Sequence, residues 1–248
     1  MLFHKSRLYM KIIKRLFRSV IGFWLKDKLE RFENFYLGSL GYSLARKSWC
    51  GTRITSNASL MTIDGYPRSA NSFAVKAFME AQGGFVRVGN HTHSPANLIR
   101  GVRLGKPALL VIRDPKDAIL GYCAWCDETA GELPNYLKAL QMKTFARRYV
   151  QFHKKLLPYL GSLVVADFRD VTTDYGRVIE RVNERYNVSF KLFEHTKENQ
   201  QDLFNNAPRH LSPSAEREQI KKAYEQEWVK IKGSTLIADA YNLYDLLT

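Results

Sequence analysis

Apolar runs of strand length alternate with stretches of helical pattern through most of this chain, and that alternation constrains its fold more than any other feature. The runs are SLMTI (59–63), FVRVG (85–89), ALLVI (108–112) and LVVADF (163–168). Short continuous apolar segments suit strands buried on both faces, and such strands are joined by crossover helices into a parallel sheet. The spacing predicts helices beginning near Ser72, Ser94, Pro115 and Asn135, and later near Thr173, Ser214 and Ser234. Asp114 followed by Pro115 is good helix-start chemistry, because the carboxylate can cap the first turn and proline lacks an N–H that would go unpaired there anyway. The expected architecture is α/β, with three α/β/α layers around a central parallel sheet. Ligands of open parallel sheets bind beyond the carboxyl ends of the strands. Gly65 to Ser72, His91 to His93 and Arg113 would all emerge at that edge.

The region before the first strand has a different character. Tyr9, Ile13, Leu16, Val20 and Phe23 recur at helical spacing with Lys11, Lys14, Arg15 and Arg18 among them. The uninterrupted apolar stretch SVIGFWL is far shorter than the ~20 residues a spanning helix requires. Residues 1–50 therefore read as a basic amphipathic segment, able either to lie on an anionic membrane surface or to dock on its own domain. Residues 51–248 read as one α/β domain. Lysine and arginine outnumber aspartate and glutamate by 38 to 24, a formal net charge of +14, which favours an anionic partner. The three cysteines are too few and too unevenly placed for a disulfide framework, so a reducing, cytoplasmic setting is expected, with membrane association only in the case where the first helix lies on a bilayer rather than on its own domain. Cys123 and Cys126 have a redox-like spacing but fall in a predicted core helix, where two buried small side chains are the simpler reading.

The segment DGYPRSANSF (64–73) stands between a predicted strand and a predicted helix. A nucleotide triphosphate loop would read GxxxxGK(S/T), with lysine on the terminal phosphates and the hydroxyl on magnesium. Here the lysine and second glycine are missing. What remains is Gly65 for a turn, Pro67 to fix the backbone, Arg68 as fixed charge, and Ser69 to Ser72 offering N–H and hydroxyl donors. Such a loop at a helix start suits an anion handled without a metal. The second segment, LLVIRDPKDAILGY (109–122), delivers Arg113 from a strand end to the start of another helix, a second place to hold a phosphate.

Together, YPRSANS (66–72) and RDPKDA (113–118), each following a strand, resemble the paired motifs of the sulfotransferases that use 3′-phosphoadenosine 5′-phosphosulfate (PAPS). The resemblance covers about residues 59–190 and implies a P-loop-like fold. By position it implies that Arg68, Ser69, Asn71 and Ser72 cradle the 5′-phosphosulfate, with Gly65, Pro67 and Ala70 shaping the loop, and that Arg113 holds the 3′-phosphate. Ala70 stands where the family has glycine, and Gly121 where it has a serine that also contacts the 3′-phosphate. The third segment, RVGNHTHSPANL (87–98), is similar to the family's KTHxP stretch. Aligned on Thr92 and Pro95, His93 takes the place of the catalytic base and His91 that of the lysine. In LVVADFRDVTTDYG (163–176), Phe168 takes a tyrosine position and Asp170 and Asp174 acidic ones, while Lys232 and Arg209 are imperfect matches to the family's late nucleotide-binding motif.

A histidine suits this role because imidazole, with an ordinary pKa of about 6.5, is largely neutral near neutrality and can take a proton from an acceptor hydroxyl. A sulfuryl group carries less charge than a phosphoryl group, so fixed Arg, His and backbone donors can serve it without magnesium. The expectation is sulfuryl transfer from PAPS, as co-substrate, to a hydroxyl or amine acceptor, glycan or glycolipid included, with His93, Arg68 and His91 as the catalytic groups. A nucleotide kinase on a related fold is the nearest enzymatic alternative. A basic membrane- or nucleic-acid-binding protein without catalysis is the alternative from another class. Nucleic acid is the weaker of those partners, since a binder of that kind should interleave aromatics with its basic patch.

Overall fold

The structure, a computed structural model, describes residues 54–205 and 214–248. The expected amphipathic segment and Arg209 lie outside them. The elements in chain order are β1 (Met61–Gly65), α1 (Asn71–Ala81), β2 (Val88–Asn90), α2 (Pro95–Arg103), β3 (Ala108–Ile112), α3 (Pro115–Ala130) and α4 (Asn135–Lys154). A 3-10 turn (Leu157–Ser162) then leads to β4 (Val164–Asp167), α5 (Phe168–Thr173), α6 (Tyr175–Tyr186), α7 (Lys197–Asn205), α8 (Ala215–Trp228) and α9 (Thr235–Leu247). The four strands form one parallel sheet in the order β2-β1-β3-β4.

Strand alternation sends side chains to two separate cores, as a sheet covered on both faces requires. Met61, Ile63, Leu109, Val111, Val164 and Ala166 face α1 and α6, where Phe73, Phe78, Val178 and Val182 meet them. Ala108, Leu110 and Ile112 face the opposite layer, built from α2, α3, α4, α8 and α9 around Leu98, Ile119, Phe145, Tyr224 and Leu243. Cys123 is buried in this second layer and Cys126 is half-buried beside it. The molecule is thus α/β with helices on both sides of a parallel sheet. Among the described residues, no helix is long and apolar enough to cross a membrane.

The helix starts follow local chemistry. Ser94 accepts from the Ala96 N–H ahead of α2, and Asp114 from the Asp117 N–H ahead of α3, each with proline opening the helix. Ser214 caps α8, and Asp174 caps α6. The strands differ more. β1 begins two residues later than the apolar run and extends through Asp64 and Gly65, leaving Leu60 exposed outside it. β2 shrinks to Val88–Asn90 because Phe85 is 69% exposed and pairs with nothing in the sheet. Phe168 is the first residue of α5 rather than the end of a strand, since Asp167 caps a helix there.

α4 carries a buried histidine that sets an acid limit on stability. His153 Nδ1 donates to the Tyr149 carbonyl at 2.9 Å, its ring packs 4.2 Å from that of Tyr149, and its Nε2 has no hydrogen-bond partner among the described residues. Burial pushes this imidazole down to about 4. Its folded-state value lies below the ordinary 6.5, so the unfolded chain takes up a proton that the folded chain refuses. The contribution is intact above pH 6.5 and is lost as pH falls toward about 4, at about 1.4 kcal/mol per pH unit. Urea unfolding at pH 7 and pH 5 should show a steeper loss of stability for the native chain than for His153→Leu, and parallel losses would contradict this account.

Candidate functional site at the carboxyl edge of the sheet

The chain leaves β1 through Tyr66, whose ring is fully buried and whose hydroxyl donates to the Phe145 carbonyl of α4 at 3.0 Å. That anchor fixes one end of the loop, and the start of α1 fixes the other. Between them Arg68 (φ 70°) and Ala70 (φ 67°) adopt left-handed backbone, while Ser69 does not. Left-handed residues at alternate positions turn successive N–H groups toward one side, the concave arrangement that binds anions. α1 has no side-chain cap and no acidic residue in its first turn, and the first backbone bond closing it runs from Ala74 N–H to the Ala70 carbonyl. A helix start left uncapped in this way keeps its donors and its positive dipole end for something else.

Gly65 does not serve the turn as its sequence context suggests. It is the last residue of β1, and a Cβ there would come within 2.1 Å of the Val111 carbonyl oxygen, so glycine is required by the approach of β3. The left-handed position falls instead on Ala70, where the family resemblance implies glycine. L-residues in that region carry a strain of about 1–2 kcal/mol. Asn71 is held inward by Nδ2 bonds to the Gly65 and Tyr66 carbonyls. Ser69 Oγ and Asn71 Oδ1 are buried with no partner among the described residues.

Asp64 organises the neighbouring loop. Its carboxylate, fully buried at the end of β1, accepts from Gly65 N–H (3.0 Å), Thr92 N–H (2.9 Å), Thr92 Oγ1 (2.7 Å) and His93 N–H (3.2 Å). Burial raises the Asp64 carboxyl above the ordinary carboxylate value, an effect only partly offset by the Thr92 hydroxyl, by His91 when protonated and by the backbone donors. His91 (φ 51°) and His93 (φ 47°) are both left-handed, so this carboxylate holds a strained turn in place. The two rings meet edge to face with centroids 5.8 Å apart.

The histidines do different work. His93 Nδ1 donates to the Gly65 carbonyl at 3.0 Å, which leaves Nε2 as the basic nitrogen, and Asp64 Oδ1 lies 3.7 Å from the same Nδ1. Its ring is 27% exposed. Arg148 of α4 spans from the His93 carbonyl to the Tyr122 hydroxyl. His91, by contrast, is engaged on both nitrogens, with Ser72 Oγ 2.6 Å from Nε2 and Asn90 Oδ1 2.7 Å from Nδ1.

Arg113 leaves β3 directly against the first loop. Its Nη1 donates to the Arg68 carbonyl at 3.0 Å, its guanidinium stacks 3.9 Å over the Phe168 ring, and its carbonyl accepts from Tyr149. Arg113 Nε is buried with no partner among the described residues. Gly121 faces the Arg68 stem, since a Cβ there would lie 3.6 Å from Arg68 Cβ. Burial, with Arg217 and Arg113 nearby, pushes the Arg68 guanidinium down to about 10, partly offset by Glu128.

Several of these partners carry no local sequence signal. Arg217 of α8 bonds Glu128 of α3 through Nε (2.8 Å) and Nη2 (2.6 Å), and Lys221 reaches Asp117 at 3.2 Å. Asp64 could have been noticed as a lone acid in an apolar strand. Asn90, Arg148 and Arg217 could not, because their roles depend on which elements pack together. Lys232 is exposed in the turn after α8, Asp174 caps α6, and Asp170 lies 3.9 Å from Arg181 at the surface. Among the described residues, no three His, Cys, Asp or Glu side chains are grouped to hold a metal ion.

No family model matches the chain, and neither the curated proteins nor the solved structures contain a significant match to it.

Two substitutions test that geometry by urea unfolding. Ala70→Gly should stabilise the protein by about 0.5–1 kcal/mol by releasing left-handed strain. Asp64→Asn should cost about 2–4 kcal/mol, because an amide NH2 would face N–H donors that now meet a carboxylate oxygen. A neutral Asp64→Asn would show that the carboxylate does not hold the two loops.

Proposed function

We infer that the protein is a PAPS-dependent sulfotransferase that moves a sulfuryl group to a hydroxyl or amine acceptor on a P-loop-like fold. The observation that carries the reading is the juxtaposition of two donor sets at one sheet edge. One is the uncapped start of α1 with Ser69 and Arg68, and the other is Arg113 at the start of α3, in contact with the first through the Arg68 carbonyl. Two separated anionic ends on one nucleotide are what such a pair would accommodate.

In this reading the α1 donors hold the 5′-phosphosulfate, and Arg113, oriented by Phe168, holds the 3′-phosphate. His93 Nε2 takes the proton of the acceptor hydroxyl as its oxygen forms a bond to sulfur and the sulfur–oxygen bond to the nucleotide phosphate breaks. The imidazolium so formed keeps its Nδ1–H on the Gly65 carbonyl, beside the Asp64 carboxylate. The leaving bisphosphate is stabilised by fixed donors rather than by rearranging water. His91 is engaged by Ser72 and Asn90 and is not the acceptor's base here. A kinase reading would require a lysine in the first loop, and that position is Asn71.

Thermal unfolding with adenosine 3′,5′-bisphosphate and with ATP tests this directly. The bisphosphate at 100 times its Kd should stabilise the protein by about 2.7 kcal/mol, and Arg113→Ala should abolish that shift. His93→Ala should retain the shift while turnover falls about 100-fold or more. Stabilisation by ATP alone would overturn the reading in favour of a kinase.

A further inference from the structure

The hydrogen bonds around His91 form a directed chain that sulfuryl transfer does not require. Asn90 Nδ2 donates to the Val88 carbonyl at 2.7 Å, which fixes the amide and turns Oδ1 toward His91. Oδ1 is an acceptor, so His91 Nδ1, 2.7 Å away, carries the proton. In the neutral imidazole Nε2 is then the basic nitrogen, and in that state the proton in the 2.6 Å contact with Ser72 comes from the serine hydroxyl. The order is hydroxyl, imidazole, amide oxygen, each held by the next. This is the relation of nucleophile, base and orienting group.

The backbone places that hydroxyl where a nucleophile works. Ser72 is the second residue of α1, in the first helical turn just past the loop from β1, and is half-buried rather than sealed. The first-turn N–H groups around it, including that of Phe73 immediately after it, can stabilise negative charge developing on a carbonyl oxygen, as in other strand–turn–helix serine sites. His91 has left-handed backbone (φ 51°), and its ring reaches Ser72 in the first turn of α1.

We propose that Ser72, His91 and Asn90 form a serine–histidine–asparagine nucleophilic site that cleaves carboxylic esters. Ser72 Oγ forms a bond to the ester carbon as His91 Nε2 takes its proton. The alcohol leaves with that proton, giving an acyl-serine. Water then gives a proton to His91 and attacks the acyl carbon, and the carboxylic acid departs as Ser72 recovers its proton. No metal or cofactor enters the balance. The site shares the α1 start with the proposed nucleotide cradle, but it does not depend on sulfotransferase activity.

The test uses the full chain with no nucleotide present. A fluorophosphonate probe should label Ser72, read by intact mass and peptide mapping, and p-nitrophenyl acetate should be hydrolysed. His91→Ala and Asn90→Leu should slow labelling, the first by about 100-fold or more, the size expected for loss of a general base. Circular dichroism melting checks that each variant is folded. Should a variant fail to fold, Ser72→Cys serves instead, and its introduced thiol, beside His91, should be alkylated by iodoacetamide at pH 6 at least tenfold faster than Cys126. Absence of the Ser72 adduct, labelling indifferent to His91, or an introduced thiol no faster than that of Cys126 would overturn the proposal. Labelling without a bisphosphate thermal shift would sink the sulfotransferase reading and leave this one standing.

Discussion

A single buried carboxylate joins the two loops on which the site depends. Asp64, next to last in β1, draws to it the backbone of Thr92 and His93 from just past the carboxyl end of β2. Its hydrogen bonds come from backbone N–H groups and a hydroxyl, and His93 Nδ1 lies 3.7 Å from its Oδ1. Such an arrangement is tolerable inside a protein because the carboxylate's lone pairs are met, and it is intolerant of any change that leaves a donor facing a donor. Through this contact, the positions of both histidines become a property of the sheet rather than of a surface loop.

Positive charge is managed in a complementary way. Arg68, Arg113 and Arg217 lie near one another, which is unfavourable unless countercharge or an anion is present. Part of the countercharge comes from α3, where Glu128 meets Arg217 and Asp117 lies between Arg113 and Lys221. These pairs also dock α8 onto α3. The buried Nε of Arg113 and hydroxyl of Ser69 remain without protein partners among the described residues. An excess of donors over acceptors at the end of a parallel sheet is the physical basis for reading an anion site here.

The neighbouring histidines show how environment divides the labour of identical side chains. Both present Nε2 as the basic nitrogen because both donate from Nδ1, one to a backbone carbonyl and one to an amide oxygen. What differs is what Nε2 faces. In His91 it faces a serine hydroxyl of the chain itself. His93 instead sits between Asp64 and the Arg148 bridge, with part of its ring open to solvent.

The sequence by itself determined the layer architecture and the sheet edge at which the candidate residues gather. Apolar runs alternating with capped helices dictate a parallel sheet, and ALLVI (108–112), Asp114-Pro115, Ser94 and Ser214 appear in the structure as their chemistry predicts. Local chemistry of that kind is written in a few adjacent residues. Only the tertiary structure decided that Gly65 is demanded by the Val111 carbonyl, that the strained turn falls on Arg68 and Ala70, and that β2 is three residues long. Likewise, Asp64, Asn90, Arg148 and Arg217 gain their roles from partners that become neighbours only when strands register and helices pack. A side chain's chemistry is set by the atoms that surround it, and most of those atoms come from distant parts of the chain.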